Sequence, residues 1–464
     1  MNSPAVTIIG GGSVQWAPNL IVDVLLQQEL RDSVITLHDI DPAAANLVKT
    51  FGDAVVVALD VPGRVRVEDD LARALEGADY IIIVISTGGL DAMSKDLLIP
   101  ESFGVFHTVG DTCGPGGWSR FIRNFPVFVN LARAIRRYAP EAVVLNYTNP
   151  MTTLTGVLSR ELDNHVIGLC HGLYDNYAFL TQQYDAPASE INASYAGLNH
   201  FFWMTEVTIR GIDVVKDLSD CIATGETLTT LEDARSGKVA QAGAFHSRHE
   251  LATELMRLTG TLPFLEDRHT SEFVPWGIID PDWMRAKSIV RTTIAQRFEN
   301  QERWTDELTQ KIKRGITSAD LTLSGEGAAE TIVAHRTGLP HVDVGNVPNR
   351  GQISNLPLGI VVETAVCTDR AGFTPLAFGD LPPVVHGLVE PHALAYQLLI
   401  DACYAADSEE ATRALRLDPA LSHLPTAQVN ELAIALITAN GGFPGETHSS
   451  PRATARPLTH GETE

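Results

Sequence analysis

The sequence predicts an α/β fold: a doubly wound parallel sheet at the N-terminus, followed by an α/β domain of mixed sheet and helices. Three observations carry that expectation. Strand-like apolar runs alternate with amphipathic stretches over the first 150 residues, glycines cluster where the first run ends, and the pattern changes after Val166. In order, "AVTIIG" reads as a strand, 18–30 as a helix, "SVITLHDID" as a strand and 43–58 as a helix. "RVRVE" and "ADYIIIVIS" follow as strands, then a helix over 120–138 and the strand "AVVLNYTNP". Short strands occupy 166–210, and helical patterns dominate to about Ile316. The segment "VGNVPNRGQISNLPLGIVVETAV" is rich in Asn, Gly and Pro and reads as a loop across the cleft before another strand. Helical periodicity resumes from Pro391. The expected domains are 1–165 for a dinucleotide, 166–443 for substrate and metal, and a disordered tail over 444–464.

Bulk composition narrows the function. Of 464 residues, 44% are hydrophobic and 20% charged, as in ordinary globular proteins. The formal charge of -23 opposes binding to nucleic acid or to an anionic membrane, because both rely on Lys and Arg. An anionic small molecule is still compatible with it, since a pocket can be locally basic. Five scattered cysteines without paired spacing point to reduced thiols and a cytoplasmic setting. The N-terminus lacks a basic leader, and no run approaches the roughly 20 apolar residues of a membrane helix.

The strand "VTIIG" runs straight into Gly10, Gly11, Gly12 and Ser13 ahead of a helix. There a dinucleotide pyrophosphate can meet bare backbone and free helix N–H groups. The third glycine of G-x-G-x-x-G is replaced by Gln15, so the fingerprint is incomplete. Context adds to it. Asp39 in "LHDID" is placed to take the two ribose hydroxyls of NAD, whereas Asp41 caps the next helix. An acid there favours NAD over NADP, and Thr87, Gly88 and Gly89 line the same sheet edge.

Four polar groups follow apolar strands: Asp111 in "VGDTCGPGG", Asn149 in "LNYTNP", Cys170 with His171 in "GLCHG", and Asn199 with His200 in "GLNHFFW". A thiolate and an imidazole with amide or water oxygens would form an open divalent-metal site. Buried packing of the thiol and a hydrogen-bonded core histidine are the alternatives.

The ordered set "IGGGS", "LHDID", "GDTCGPGG", "NYTNPM", "GLCHG", "GLNHF" and "NRGQISNLP" resembles glycoside hydrolase family 4, the NAD- and metal-dependent glycosidases. The likeness spans nearly the whole chain apart from the tail. It implies a Rossmann-type N-terminal domain related to lactate and malate dehydrogenases, and a homodimer or homotetramer. It also implies Cys170 and His200 as ligands of Mn²⁺ or another divalent metal and Asn149 as a substrate-binding residue; Asn199, beside His200, is a further substrate-binding candidate. The chemistry implied is oxidation at sugar C3, deprotonation at C2, elimination of the C1 group, addition of water and return of the hydride. For the C2 base the matching region "LPFLEDRHTSEFVPW" offers Asp267 in place of the family's frequent Tyr; a surface ion pair is the competing reading. Asp111 and His171 are candidates for protonating the leaving group or holding hydroxyls.

The family's phospho-glycosidases carry Asn or Asp after the metal-ligand Cys, and this chain has "CHGL", which resembles members acting on unphosphorylated α-glycosides. α-Glucuronides come first in that reading, followed by α-galacturonides, α-galactosides and α-glucosides. Arg268, His269 or Arg350 would supply the cation for a uronate. The competing classes are an NAD-dependent hydroxyacid dehydrogenase and a non-catalytic NAD-binding protein.

Overall fold

A computed structural model describes residues 3–162, 165–236 and 248–445. Most of the expected tail lies outside the described residues. Six strands form the parallel set: β1 (Ala5–Ile9), β2 (Val34–His38), β3 (Arg64–Val67), β4 (Tyr80–Ile83), β5 (Val143–Asn146) and β6 (Val166–Gly168). Their spatial order is 3-2-1-4-5-6, that of a dinucleotide-binding fold. Every residue of β4 and β5 is buried, as a parallel sheet covered by helices on both faces requires.

The helices obey their local signals. Asp41 accepts from the amides of Ala43 and Ala44 at 2.9 and 3.2 Å, capping the helix Pro42–Leu59. That helix is long and apolar enough to cross a membrane, with a mean hydropathy of 1.3. Its Val48, Phe51 and Val55 instead pack on the sheet with Leu37 and Val65, and Lys49 pairs with Asp53 at 2.5 Å on the other face. The helix expected over 120–138 begins earlier, as Gly114–Tyr138, because Pro115 opens it and Trp118, Phe121 and Phe125 extend its buried stripe.

The sheet continues without a break beyond β6. Seven more strands join it: β7 (Ile191–Leu198), β8 (Phe201–Ile209), β9 (Ile212–Asp213), β10 (Leu262–Pro263), β11 (His341–Pro348), β12 (Val361–Asp369) and β13 (Gly372–Pro375). Beyond β6 the order is β11, β12, β7, β8, β10, all antiparallel. Two sequence expectations change here. The last parallel strand, β6, lies past the expected boundary at 165, and the two halves share one sheet. The first five residues of the expected cleft loop, 344–348, belong to the strand β11, and the remainder up to β12 is loop: Gly345 lets β11 approach β6, since a Cβ there would lie 2.7 Å from Ile167 Cδ1.

Candidate active site

The carboxyl ends of the parallel strands carry the predicted groups: Gly10 after β1, Asp39 after β2, Thr87 after β4, Asn149 after β5 and Cys170 after β6. In open α/β sheets this edge is where ligands bind. At its centre the glycine turn is closely fitted. Gly10 has φ 91°, and a Cβ on it would meet the Val84 carbonyl oxygen at 2.6 Å. Asp39 Oδ2 accepts from the Gly12 amide at 2.9 Å and Oδ1 from the Asp41 amide at 2.9 Å, so the acid is held against the turn. The Ser13 amide donates to the Gly10 carbonyl at 2.9 Å, closing the turn. Gly88 and Gly89 both have positive φ and open the helix Gly89–Glu101, and Thr87 Oγ1 is fixed on Asn124 Oδ1 at 2.6 Å. Bare backbone beside a ribose-sized acid fits NAD.

The thiol follows the last parallel strand and the imidazole sits between two antiparallel ones, and the two converge. Cys170 Sγ lies 3.2 Å from His200 Nε2. His200 occupies the tight turn between β7 and β8 with φ 64°, a conformation that costs a non-glycine residue about 1–2 kcal/mol. Its Nδ1 meets Thr112 Oγ1 at 3.1 Å, and that hydroxyl donates to Asp111 Oδ1 at 2.9 Å, fixing the ring. Burial pulls His200 down to about 4, so at neutral pH the imidazole is uncharged and has a lone pair to give. Burial, reinforced by Glu363, pushes the Cys170 thiol up, so the thiolate forms only with a cation beside it. A soft thiolate and a neutral imidazole fit a divalent transition metal.

Asp111 stays ionised. Burial alone would raise its pKa, but Arg120, Arg297 and His200 outweigh burial and lower it. A carboxylate so held accepts hydrogen bonds and does not serve as a proton donor at neutral pH, which removes the leaving-group-acid role. His171 Nδ1 lies 3.1 Å from Glu326, whose hydrogen bond raises the imidazole above its ordinary value. Asn149 is held by Arg120, which donates to its carbonyl at 2.9 Å, and its Oδ1 accepts from the Met151 amide at 3.2 Å. Asn199 Nδ2 donates to buried Glu363 at 2.9 Å, and Glu363 is pushed up to about 7 by burial.

Four residues do not match the two roles expected of them, the C2 base and the cation for a uronate. Asp267 is 2% exposed, and its carboxylate accepts from the amides of Leu251 and Ala252 at 3.1 and 2.9 Å. It holds the start of the helix Glu250–Thr259 and is not presented to a substrate as a base. The His269 ring lies against the His200 ring, centroids 3.9 Å apart and planes tilted by 37°; burial, then His200 and Arg268, pull it well below its ordinary value. Being neutral, it is no cation for a uronate, although its buried Nδ1 has no partner among the described residues. Arg268 spends Nε on the Val290 carbonyl at 3.0 Å and Nη2 on Thr292 at 2.5 Å, and Arg350 is exposed on a loop stitched together by Asn349. Sequence reading missed Arg120, Arg297, Glu272, Glu326 and Glu363. Only Glu363, a lone acid in the apolar run "IVVETAV", carried a local signal.

Comparison with known proteins agrees with the geometry. The model described as Family 4 glycosyl hydrolase matches residues 5–185, and the Family 4 glycosyl hydrolase C-terminal domain matches 195–421. The α-galacturonidase of Thermoanaerobacterium saccharolyticum is 32% identical over 89% of this chain and 91% of its own. That of Bacillus subtilis is 33% identical over 89% and 92%. Among solved structures, lplD of Bacillus subtilis superposes with a TM-score of 0.84 at 30% identity, covering 94% of this chain and all of its own. A 6-phospho-α-glucosidase from gut microorganisms, in complex with NAD and Mn²⁺, shares the fold with a TM-score of 0.77 at 22% identity, covering 96% and 99%. With both halves matched in order, the chain belongs to glycosyl hydrolase family 4.

Proposed function

We propose that the protein is an NAD- and Mn²⁺-dependent α-glycosidase of unphosphorylated uronides, with α-galacturonides first and α-glucuronides second. The observation that carries this is the meeting of Cys170 and His200 at 3.2 Å on the sheet edge that also holds the glycine turn and Asp39. The sequence alone ranks α-glucuronides first; the α-galacturonidase relatives support reversing that order.

Asp39 and the turn Gly10 to Ser13 would hold NAD, and Cys170 with His200 would hold the metal. When bound, NAD supplies a hydride acceptor and donor, and the metal a Lewis acid. The chain's own residues do the rest. Asp111, held ionised by the arginines, accepts a hydrogen bond from a sugar hydroxyl. Asn149 turns its amide to the same sugar. His171, charged more readily because of Glu326, moves a proton at the glycosidic oxygen.

A panel of aryl α- and β-glycosides, each assayed with and without NAD⁺, Mn²⁺ and thiol, tests the reading. Cleavage of the α-galacturonide is expected only when all three are present, with no net NADH. Preference for a neutral or phosphorylated glycoside would contradict the uronide assignment, and accumulating NADH without cleavage would favour a dehydrogenase.

A further inference from the structure

We propose that Arg297 is the cation that grips the carboxylate of the sugar, an assignment that rests on the uronide reading above. Arg297 stands near the start of the helix Ile294–Arg314, whose fully buried residue is Leu308. Its side chain turns inward. Its Nη2 donates to the Val109 carbonyl at 2.6 Å, two residues before Asp111. Its Nε is buried and has no hydrogen-bond partner among the described residues.

A dry, unpaired guanidinium donor is costly, and native structures keep few of them. An oxygen pair presented to Nε and its neighbouring Nη would satisfy it, and that edge of the fork matches a carboxylate. The surrounding charge points the same way. Arg120, Arg268 and Arg297 all act on Asp111. Arg120 already holds Asn149 and Ser86, and Arg268 holds Val290 and Thr292. Of the other nearby carboxylates, Glu272 is engaged by His107 and by the amides of Val109 and Gly110, and Glu266, which acts on Arg268, is pushed up to about 7 by burial. Cations therefore outnumber free carboxylates in this part of a chain whose net charge is -23. Among the described residues Arg297 forms no ion pair. Asp111, on which Arg297 acts, is joined to His200 through Thr112, which ties Arg297 to the thiol and imidazole where the sugar is proposed to sit.

The test is calorimetric binding of galacturonate and galactose to the full-length enzyme loaded with NAD⁺ and Mn²⁺. Wild type should prefer galacturonate, and Arg297→Gln should lose galacturonate affinity on the order of 100-fold while galactose affinity falls far less, through Asp111 alone. Arg297→Lys should recover part of the loss, having the charge without the fork, and it carries the comparison if the Gln variant does not fold. A galacturonate preference that survives in Arg297→Gln, or is absent from wild type, overturns the assignment. Hydrolysis of an aryl α-galacturonide by wild type decides the underlying reading separately. Cleavage with a preference indifferent to Arg297 rejects only the assignment, whereas Arg297-dependent binding without uronide cleavage rejects only the uronidase reading.

Discussion

Cys170→Ser is expected to lower kcat/KM by about 10²- to 10⁴-fold, the several kcal/mol that a Lewis acid contributes to charge stabilisation. Serine keeps the shape nearly intact but replaces a polarisable sulfur by a hard hydroxyl that does not ionise at neutral pH. The partner imidazole is neutral and held in place by Thr112 and Asp111, so the loss falls on the ligand set and not on the fold. Mn²⁺ titration followed by electron paramagnetic resonance should show affinity weakened by at least about 10- to 100-fold. NAD⁺ affinity and the unfolding midpoint should stay near those of wild type. The same dependence makes wild type sensitive to EDTA and to thiol oxidation, with activity restored by Mn²⁺ and a reductant. A Cys170→Ser protein with undiminished Mn²⁺ affinity would contradict the assignment of the metal ligands.

Glu272→Ala is expected to destabilise the protein by about 3–5 kcal/mol in all, because each buried donor it leaves without an acceptor, the amides of Val109 and Gly110 and the His107 ring N–H, costs roughly 1–3 kcal/mol. Glu272 is fully buried, 3.1 Å from His107 Nδ1, and accepts from the amides of Val109 and Gly110 at 2.7 and 2.8 Å. It thereby fixes the loop that ends in Asp111 and Thr112, so stability and site geometry fail together. The pH dependence follows from the direction of its shift. Burial alone would raise the Glu272 pKa, but His107 and the Val109 amide outweigh burial and lower it beneath the ordinary value of 4.5. Its stabilisation is therefore complete above that unfolded value and is lost as pH falls through the lower folded value. Denaturant unfolding at neutral pH and below pH 4 should show the gap between wild type and Glu272→Ala narrowing in acid. A gap that is constant or widens would show that Glu272 contributes no carboxylate-specific stability.

Much of the fold is legible because its signals are local. The apolar runs of β1, β2, β4 and β5, the Asp41 cap and the glycine turn each depend on residues adjacent in sequence. The mixed half is less so. In β11, Gly345 and Asn346 read as turn formers, yet the first admits Ile167 and the second reaches Glu363 at 2.9 Å. Tertiary packing gives those residues strand roles that composition assigns to loops. The site divides the same way. Asp111, Asn149, Cys170 and His200 were visible because polar groups just past apolar strands are unusual. Arg120 and Arg297 were not, since each sits on a helix whose facing is decided by distant contacts. Asp267, beside Arg268 and His269, looked like a reactive or surface charge. Its partners are amides 15 and 16 residues earlier in the chain, a non-local bond that spacing does not reveal.

Hydrolysis of an aryl α-galacturonide in D₂O, with NAD⁺, Mn²⁺ and thiol present, tests the central claim most directly. Deprotonation at C2 followed by addition of water should leave solvent deuterium at C2 of the released sugar, as read by NMR. A product formed at a normal rate with protium retained at C2 would contradict the redox-elimination chemistry and place the reaction with glycosidases that use paired carboxylates.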